Sequence, residues 1–221
     1  MDDLVFRKAT AADLPFLVSA VKAAETLGTA GCTYEKLFLL STAEVDALLK
    51  QALSIESGGY QLALSTFFVC TRGGVPVACC SSWIEAADGI SSGFKMAAVL
   101  SDLLGFEKWI DANAAIKAFA DATPQRTAGA LQMETFYVEP GSRGQGITAR
   151  MIDSVIPRFD SVVTAEKIAE ITMLEENAEA LRAYQKAGFH IHRKGNPGNA
   201  LFRTLTGSAG FIQLQKPIYA V

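Results

Sequence analysis

Imidazole is nearly absent from this chain: only His190 and His192 occur among its 221 residues. Two apart in a strand, they share one face, and no second cluster of ligating residues accompanies them. They read as ordinary strand residues, and no metal site is expected. The four cysteines, Cys32, Cys70, Cys79 and Cys80, contain no C-x-x-C spacing, and the last three sit in strand-like apolar runs. Buried free thiols are therefore expected, not disulfides or metal ligands. An excess of positive charge is lacking too: the net charge is −3 and no Lys/Arg cluster stands out, which argues against nucleic-acid or anionic-membrane partners. No apolar run approaches the length of a membrane span. Met1 leads into Asp2 and Asp3 without the basic start and apolar core of a signal peptide, so a cytoplasmic location is expected. No polar or Pro/Gly-rich linker divides a chain that is half hydrophobic, so one domain over residues 1–221 is expected.

What the chain does have is a strand-to-helix junction between Met133 and Phe159. An apolar strand ending in Val138 runs through Pro140 into Arg143-Gly144-Gln145-Gly146 and then into Ile147, Met151, Ile152, Val155, Ile156 and Phe159 at helical spacing. Pro140 has no N–H for a ladder and stops the strand; Pro157 ends or kinks the helix near its last turn. The first turn of a helix has backbone N–H groups without intrahelical partners and the positive end of the helix dipole. Gly141, Gly144 and Gly146 let the chain turn tightly and let a ligand approach, and Arg143 adds a fixed charge. The junction is suited to a phosphate.

Three kinds of phosphate loop compete for it. Gly141 and Gly146 have P-loop spacing with Thr148 two places on, but Ile147 occupies the position of the essential lysine. Gly144, Gly146 and Ala149 match the dinucleotide fingerprint G-x-G-x-x-G/A. Only 75 residues follow Gly146, with one further clear strand–helix unit, and the acidic residue required by that fingerprint would be Glu166, which precedes the next strand instead of ending it. The third option accommodates all of these residues. Val138, Pro140, Arg143, Gly144, Gly146 and Ile147 resemble the V-x-P-x-x-R-G-x-G-[IVL]-[GA] motif of the GCN5-related N-acetyltransferase (GNAT) family, with Thr148 departing from its small last position. Downstream, Asn177, Ala180, Tyr184 and Gly188-Phe189 resemble that family's N-x-x-A-x-x-x-Y-x-x-x-G-F, after an apolar strand at Ile168–Leu174. Independently of the resemblance, Asn177 is a good helix N-cap, Ala180, Leu181, Tyr184 and Ala187 form one stripe, and Gly188 falls where a left-handed C-cap belongs.

The remaining pattern predicts strands at Leu4–Ala9, Thr66–Arg72 and Val75–Ile84, the last two joined by a Gly73-Gly74 hairpin turn. Helices are predicted through Leu14, Leu17, Val18 and Val21, and after a Ser41/Glu44 capping box. His190–Arg193, Leu201–Leu205 and Phe211–Gln215 read as closing strands, with a turn at Gly195–Asn199. Together with the resemblance, this implies an α/β fold: an acyl-CoA N-acyltransferase-like sheet of mixed, mostly antiparallel pairing, with about six to seven strands flanked by helices. Residues 87–130 form an insertion between the third and fourth strands, expected to contain one to three helices. It is read either as a wall of the acceptor pocket or as a packing appendage or homodimer contact.

The resemblance implies direct transfer of an acetyl group from acetyl-CoA to a primary amine of a small molecule or peptide. It places the cofactor along Phe136, Tyr137 and Val138, with its pyrophosphate on Arg143, Gly144, Gln145, Gly146, Ile147 and Thr148. Val138's N–H would serve the oxyanion, Tyr184 would protonate the leaving thiolate, and Asn177 would bond the cofactor or nearby backbone. The attacking amine also needs a base. Strand alternation places Glu134, Phe136 and Val138 on one face, which makes Glu134 the candidate base and Glu85 the reserve. A non-catalytic acyl-CoA sensor or a partner-binding module with the same loop is the alternative.

Overall fold

A computed structural model describes residues 3–26, 31–55, 58–159, 161–162 and 167–218; Met1, Asp2 and Glu166 lie outside the described residues. Seven strands form one sheet: β1 (Leu4–Lys8), β2 (Phe67–Arg72), β3 (Val75–Ile84), β4 (Leu131–Val138), β5 (Ile168–Leu174), β6 (His190–Lys194) and β7 (Phe211–Pro217). Their order is β1-β2-β3-β4-β5-β7-β6. Every neighbouring pair is antiparallel except β4–β5. The β2–β3 hairpin turns on Gly73 and Gly74, with φ of 54° and 82°. Both are left-handed, as a tight turn between right-twisted strands requires.

The helices divide between the two faces. Helices α1 (Leu14–Ala24), α2 (Thr33–Phe38), α3 (Thr42–Ser54) and α4 (Ser92–Leu104) cover one, burying Leu17, Val21, Leu49 and Leu53 against Val69 and Cys79. Helices α7 (Ile147–Val155) and α8 (Ala178–Lys186) cover the other, where Ile147, Met151, Ile152 and Tyr184 meet Cys80, Met133 and Ile171. The predicted caps form: Ser41 Oγ accepts from Glu44 N–H at 3.3 Å, and Asn177 Oδ1 accepts from Ala180 N–H at 3.1 Å. Gly188 follows α8 with φ 89°, and Pro157 falls in a single 3-10 turn, Ile156–Phe159, that ends α7. The insertion supplies α4, α5 (Phe106–Asp111) and α6 (Asn113–Ala122).

One predicted strand is a helix. Leu201–Leu205 lies inside α9 (Ala200–Thr206), because Asn199 Oδ1 caps its start at Phe202 N–H (2.9 Å) and Gly207, at φ 69°, closes it. Phe202 is then buried against Phe119 of α6 and Phe211 of β7, with ring centroids 5.1 and 5.3 Å away. Helix α2 was not predicted: six residues are too few to show a period, and its cap is a bond from Cys32 N–H to the side-chain carboxylate of Glu35 at 2.7 Å.

The parallel ladder between β4 and β5 is only two residue pairs long, Leu131 with Ala169 and Gln132 with Glu170. Glu170 is completely buried there. Its carboxylate accepts hydrogen bonds from Thr127 N–H (3.0 Å), Thr127 Oγ1 (2.6 Å) and the side-chain amides of Gln132 (2.7 Å), Gln213 (3.2 Å) and Gln215 (2.9 Å). Burial alone would raise its pKa, but the bonds from Thr127, Gln132 and Gln215 outweigh burial and hold it below the ordinary glutamate value. A lowered folded pKa stabilises the protein fully above the ordinary glutamate pKa, and that contribution is lost as pH falls through the folded value. Glu170→Ala, which strands the buried amides of Gln132 and Gln213 and the half-buried amide of Gln215, should therefore cost about 3 kcal/mol in urea unfolding at pH 7. The gap to wild type should narrow as the pH approaches the acid range.

Candidate active site

Above the Gln132–Glu170 pair, β4 and β5 separate, and β4 changes the way its side chains point. Between the pairs Ser81–Glu134 and Cys79–Tyr137, β3 advances two residues and β4 three. The extra residue is a β-bulge at Thr135, whose φ is 50°. The bulge reverses the alternation expected of β4. Phe136 and Val138 face the α7/α8 side with Met133, whereas Tyr137 faces the α1/α3 side. Glu134, paired across from Ser81, lies on that second side as well. The expectation that Glu134 shares a face with Phe136 and Val138 is thus corrected, because a period of two holds only while the ladder is unbroken.

The end of β4 is arranged for a ligand in the gap. Glu139 N–H donates to Val77 C=O at 2.9 Å. Strand groups alternate, so Val138's own N–H points away from β3, toward the open side. Arg143 Nε donates to Val138 C=O at 3.1 Å, folding the loop back on the strand end. Gly144 and Gly146 have φ of 75° and 70°, and a Cβ on either would meet nothing within 4 Å. The helical ladder of the following turn begins with Arg150 N–H to Gly146 C=O at 3.2 Å, which leaves the N–H groups of Ile147, Thr148 and Ala149 ahead of it. Ile147 is buried in the core and anchors the turn, while Thr148 is half-buried. Gln145 Nε2 bonds Gly141 C=O at 3.4 Å. Arg72, at the end of β2, bonds Ser142 Oγ at 3.3 Å and Gln145 Oε1, a brace that no sequence motif announces.

A cavity of about 840 Å³ opens in the gap, large enough for a small-molecule site. Its walls come from both faces: Phe136, Tyr184 and Asn177 on one, Glu25 and Tyr34 on the other, so it runs through the sheet where the strands part. Tyr184 is 8% exposed, with its ring 5.2 Å from that of Phe136. Burial pushes its hydroxyl pKa well up, with the Cys80 and Glu134 charges adding, so the group is protonated at neutral pH.

Three carboxylates reach the cavity, and their partners differ. Glu85 is saturated: it accepts from Ser92 N–H (2.9 Å), Ser92 Oγ (2.5 Å) and Trp83 Nε1 (3.2 Å), which fixes the start of α4. Glu134, 8% exposed, takes Arg126 Nη2 at 2.6 Å and Nε at 3.0 Å on one oxygen. Burial opposes the Arg126 charge, yet Glu134, with Glu85 and Glu170 behind it, raises its pKa. Glu25, just past the end of α1, has neutral partners, the Gln61 amide at 3.1 Å and the Thr33 hydroxyl. That amide also reaches Thr135 Oγ1 at 3.0 Å and so ties Glu25 to the bulge. Burial first, then the charge of Glu134, raises Glu25 to about 7, against the pull of Gln61 and Thr33. Sequence reasoning overlooked Glu25, Gln61 and Arg126, since none belongs to a motif.

The model of the Acetyltransferase (GNAT) family matches residues 42–189. The chain belongs to the GNAT acetyltransferase family. Solved structures agree on the fold. An N-acetyltransferase from Staphylococcus aureus Mu50 is 15% identical over 96% of this chain and 99% of its own, with a TM-score of 0.67. A Salmonella typhimurium acetyltransferase described with its cofactor acetyl-CoA is 14% identical over 100% and 96%, at 0.53. The Drosophila melanogaster polyamine N-acetyltransferase, described as forming N-acetylagmatine, is 14% identical over 98% and 100%, at 0.57. No curated protein matches in sequence. Like these GNAT folds, the sheet here is mixed and mostly antiparallel, and acetyl-CoA is the co-substrate that the family uses. Among the described residues, no helix is long and apolar enough to cross a membrane.

In this GNAT protein the Arg126–Glu134 pair joins the insertion's trailing segment to β4. Arg126→Met removes the cation and leaves Glu134 buried without it. The loss should be about 3 kcal/mol of stability, read as a lower urea midpoint at unchanged slope.

Proposed function

We propose that the chain is an N-acetyltransferase that acts in the cytoplasm and moves the acetyl group of acetyl-CoA directly onto a primary amine of a small molecule or peptide. The observation that carries this reading is the cavity through the β4–β5 gap. It brings a hydroxyl that is protonated at neutral pH and a set of carboxylates to opposite ends of one space, beside a strand end with an outward N–H. Direct transfer requires those three groups. The thioester carbonyl oxygen gains negative charge as nitrogen attacks, and a fixed N–H, that of Val138, stabilises it. Sulfur leaves as a thiolate and takes a proton from Tyr184. The amine gives up its proton to a carboxylate, for which Glu134 and Glu25 both face the cavity.

Phe136, Tyr137 and Val138 would hold the pantetheine arm along the strand. Arg143, Gly144, Gln145, Gly146, Ile147 and Thr148 would hold the pyrophosphate at the start of α7, through backbone N–H groups and the Arg143 charge. Asn177 lines the cavity, but its side chain already caps α8, so its part in cofactor binding is the weaker member of this set. An amine acceptor is in keeping with the Drosophila neighbour, which acts on polyamines.

Titration calorimetry should show saturable acetyl-CoA binding to the purified chain; no binding sinks the proposal. Tyr184→Phe should lower turnover by about 10²-fold while leaving acetyl-CoA affinity within a factor of about two. An equal loss of both would assign Tyr184 to packing with Phe136 and Phe189. If acetyl-CoA binds but no amine in a broad panel yields free CoA thiol, the chain is an acyl-CoA sensor instead.

A further inference from the structure

Resting on that reading, we infer that the acceptor is a singly charged amine with an apolar body, its nitrogen seated at Glu25, which takes the proton.

The charged groups among the described lining residues are Glu25, Glu85, Arg126 and Glu134. Glu85 is filled by Ser92 and Trp83, and the charge of Glu134 is paired with the Arg126 guanidinium on one of its oxygens. Glu25 meets only neutral side-chain donors, the Gln61 amide and the Thr33 hydroxyl, and is the carboxylate left to meet a cation. It stands on the α1 side of the gap and is linked through Gln61 to Thr135, so it faces the place where β4 bends toward the thioester site. The rest of that side is uncharged and mostly apolar, with Thr33, Gln61, Ser91 and Thr123 among its polar members. Tyr34, Phe38, Leu100, Trp109, Ile116 and Phe119 line it, with Trp109 stacked on Phe38 at a centroid distance of 6.1 Å. A second ammonium on the acceptor would leave water for this wall and find no charged partner, a cost that an alkyl or aryl group does not incur.

The step balances. The ammonium passes one proton to a Glu25 oxygen, and the freed nitrogen pair forms the bond to the thioester carbonyl carbon. The carbon–sulfur bond breaks with its electrons on sulfur. Tyr184 gives the thiolate its proton and recovers one from the acylated nitrogen; Glu25 releases its own to solvent, one proton per turnover. The groups facing Glu25 are Tyr34 and Cys32 from the α2 segment and Glu134 from β4. Burial keeps Tyr34 and Cys32 protonated near neutrality, so neither of them changes charge beside Glu25 there. Because its pKa is raised to about 7, the basic form and the rate grow as pH climbs through that value.

The test uses the full chain with acetyl-CoA and a matched pair of equal length, hexylamine and 1,6-diaminohexane. Hexylamine should have the higher kcat/KM by about tenfold or more, since the diamine buries an unpaired charge. Glu25→Gln should lower kcat by about 10²-fold and abolish the acid limb of the pH profile. Glu25→Asp should keep the limb at reduced rate, and Glu134→Gln should keep it too. Calorimetric acetyl-CoA affinity of each variant, within about twofold of wild type, reports an intact fold. Equal or better use of the diamine overturns the inference, as does an acid limb that survives Glu25→Gln or vanishes in Glu134→Gln. Either result leaves the acetyltransferase reading standing. Failure of wild type to bind acetyl-CoA removes that reading instead.

Discussion

The buried carboxylate of Glu170 is the constraint on which the site depends. A parallel pairing of two residues is too short to hold β4 and β5 together by its ladder alone. Glu170 supplies the missing cohesion by collecting donors from β4, from β7 and from the Thr127 turn, so three separate segments converge on one charge. A buried ion is costly unless its lone pairs are filled, and here five hydrogen bonds fill them. Because the joint is fixed at that point, the strands can part immediately above it without the sheet coming undone. The gap is thus a consequence of a strong joint, not of a weak sheet.

The second device is the bulge at Thr135. A β-branched residue at φ 50° costs on the order of 1–3 kcal/mol, and it persists because its surroundings fix it. Gln61 bonds the Thr135 hydroxyl from one side, and Ser81 Oγ lies 3.3 Å from it on the other. What the strain achieves is a reversal of face within one strand. Glu134 ends up with Arg126 on the α1/α3 side, while Phe136 and Val138 remain on the α7/α8 side. A regular strand could not serve both halves of the cavity.

The half of the cavity at the β4–α7 junction and α8 was legible in the sequence because local rules govern it. Glycines at 144 and 146, the Asn177 cap, the prolines at 140 and 157 and the apolar stripe of α7 each declare themselves within a few residues. The half on the α1 side was hidden because long-range contacts govern it. Glu25, Gln61 and Thr135 are far apart in the chain and meet only once α1 packs on β4. The misplacement of Glu134 has the same origin: alternation was applied through a residue whose φ is visible only in three dimensions. With Leu201–Leu205 the fault was different, since Asn199 and Gly207 were present as cap signals and an apolar run was weighed above them.

The insertion shows how the two halves are joined energetically. Its inner surface presents Leu100, Trp109, Ile116 and Phe119 to the cavity, whereas Phe94 and Phe106 are turned to solvent at 68% and 77% exposure. The reading of 87–130 as a pocket wall thus has its support in the inner surface. That wall does more than add shape. Apolar side chains that exclude water lower the local dielectric, and a lower dielectric both raises the Glu25 pKa and strengthens its attraction for an ammonium brought beside it. The two effects oppose each other once the amine arrives, because the incoming cation pulls the Glu25 proton equilibrium back toward the carboxylate. In the proposed reaction, a base arranged in this way is charged by its own substrate, so proton transfer is tied to correct seating of the amine.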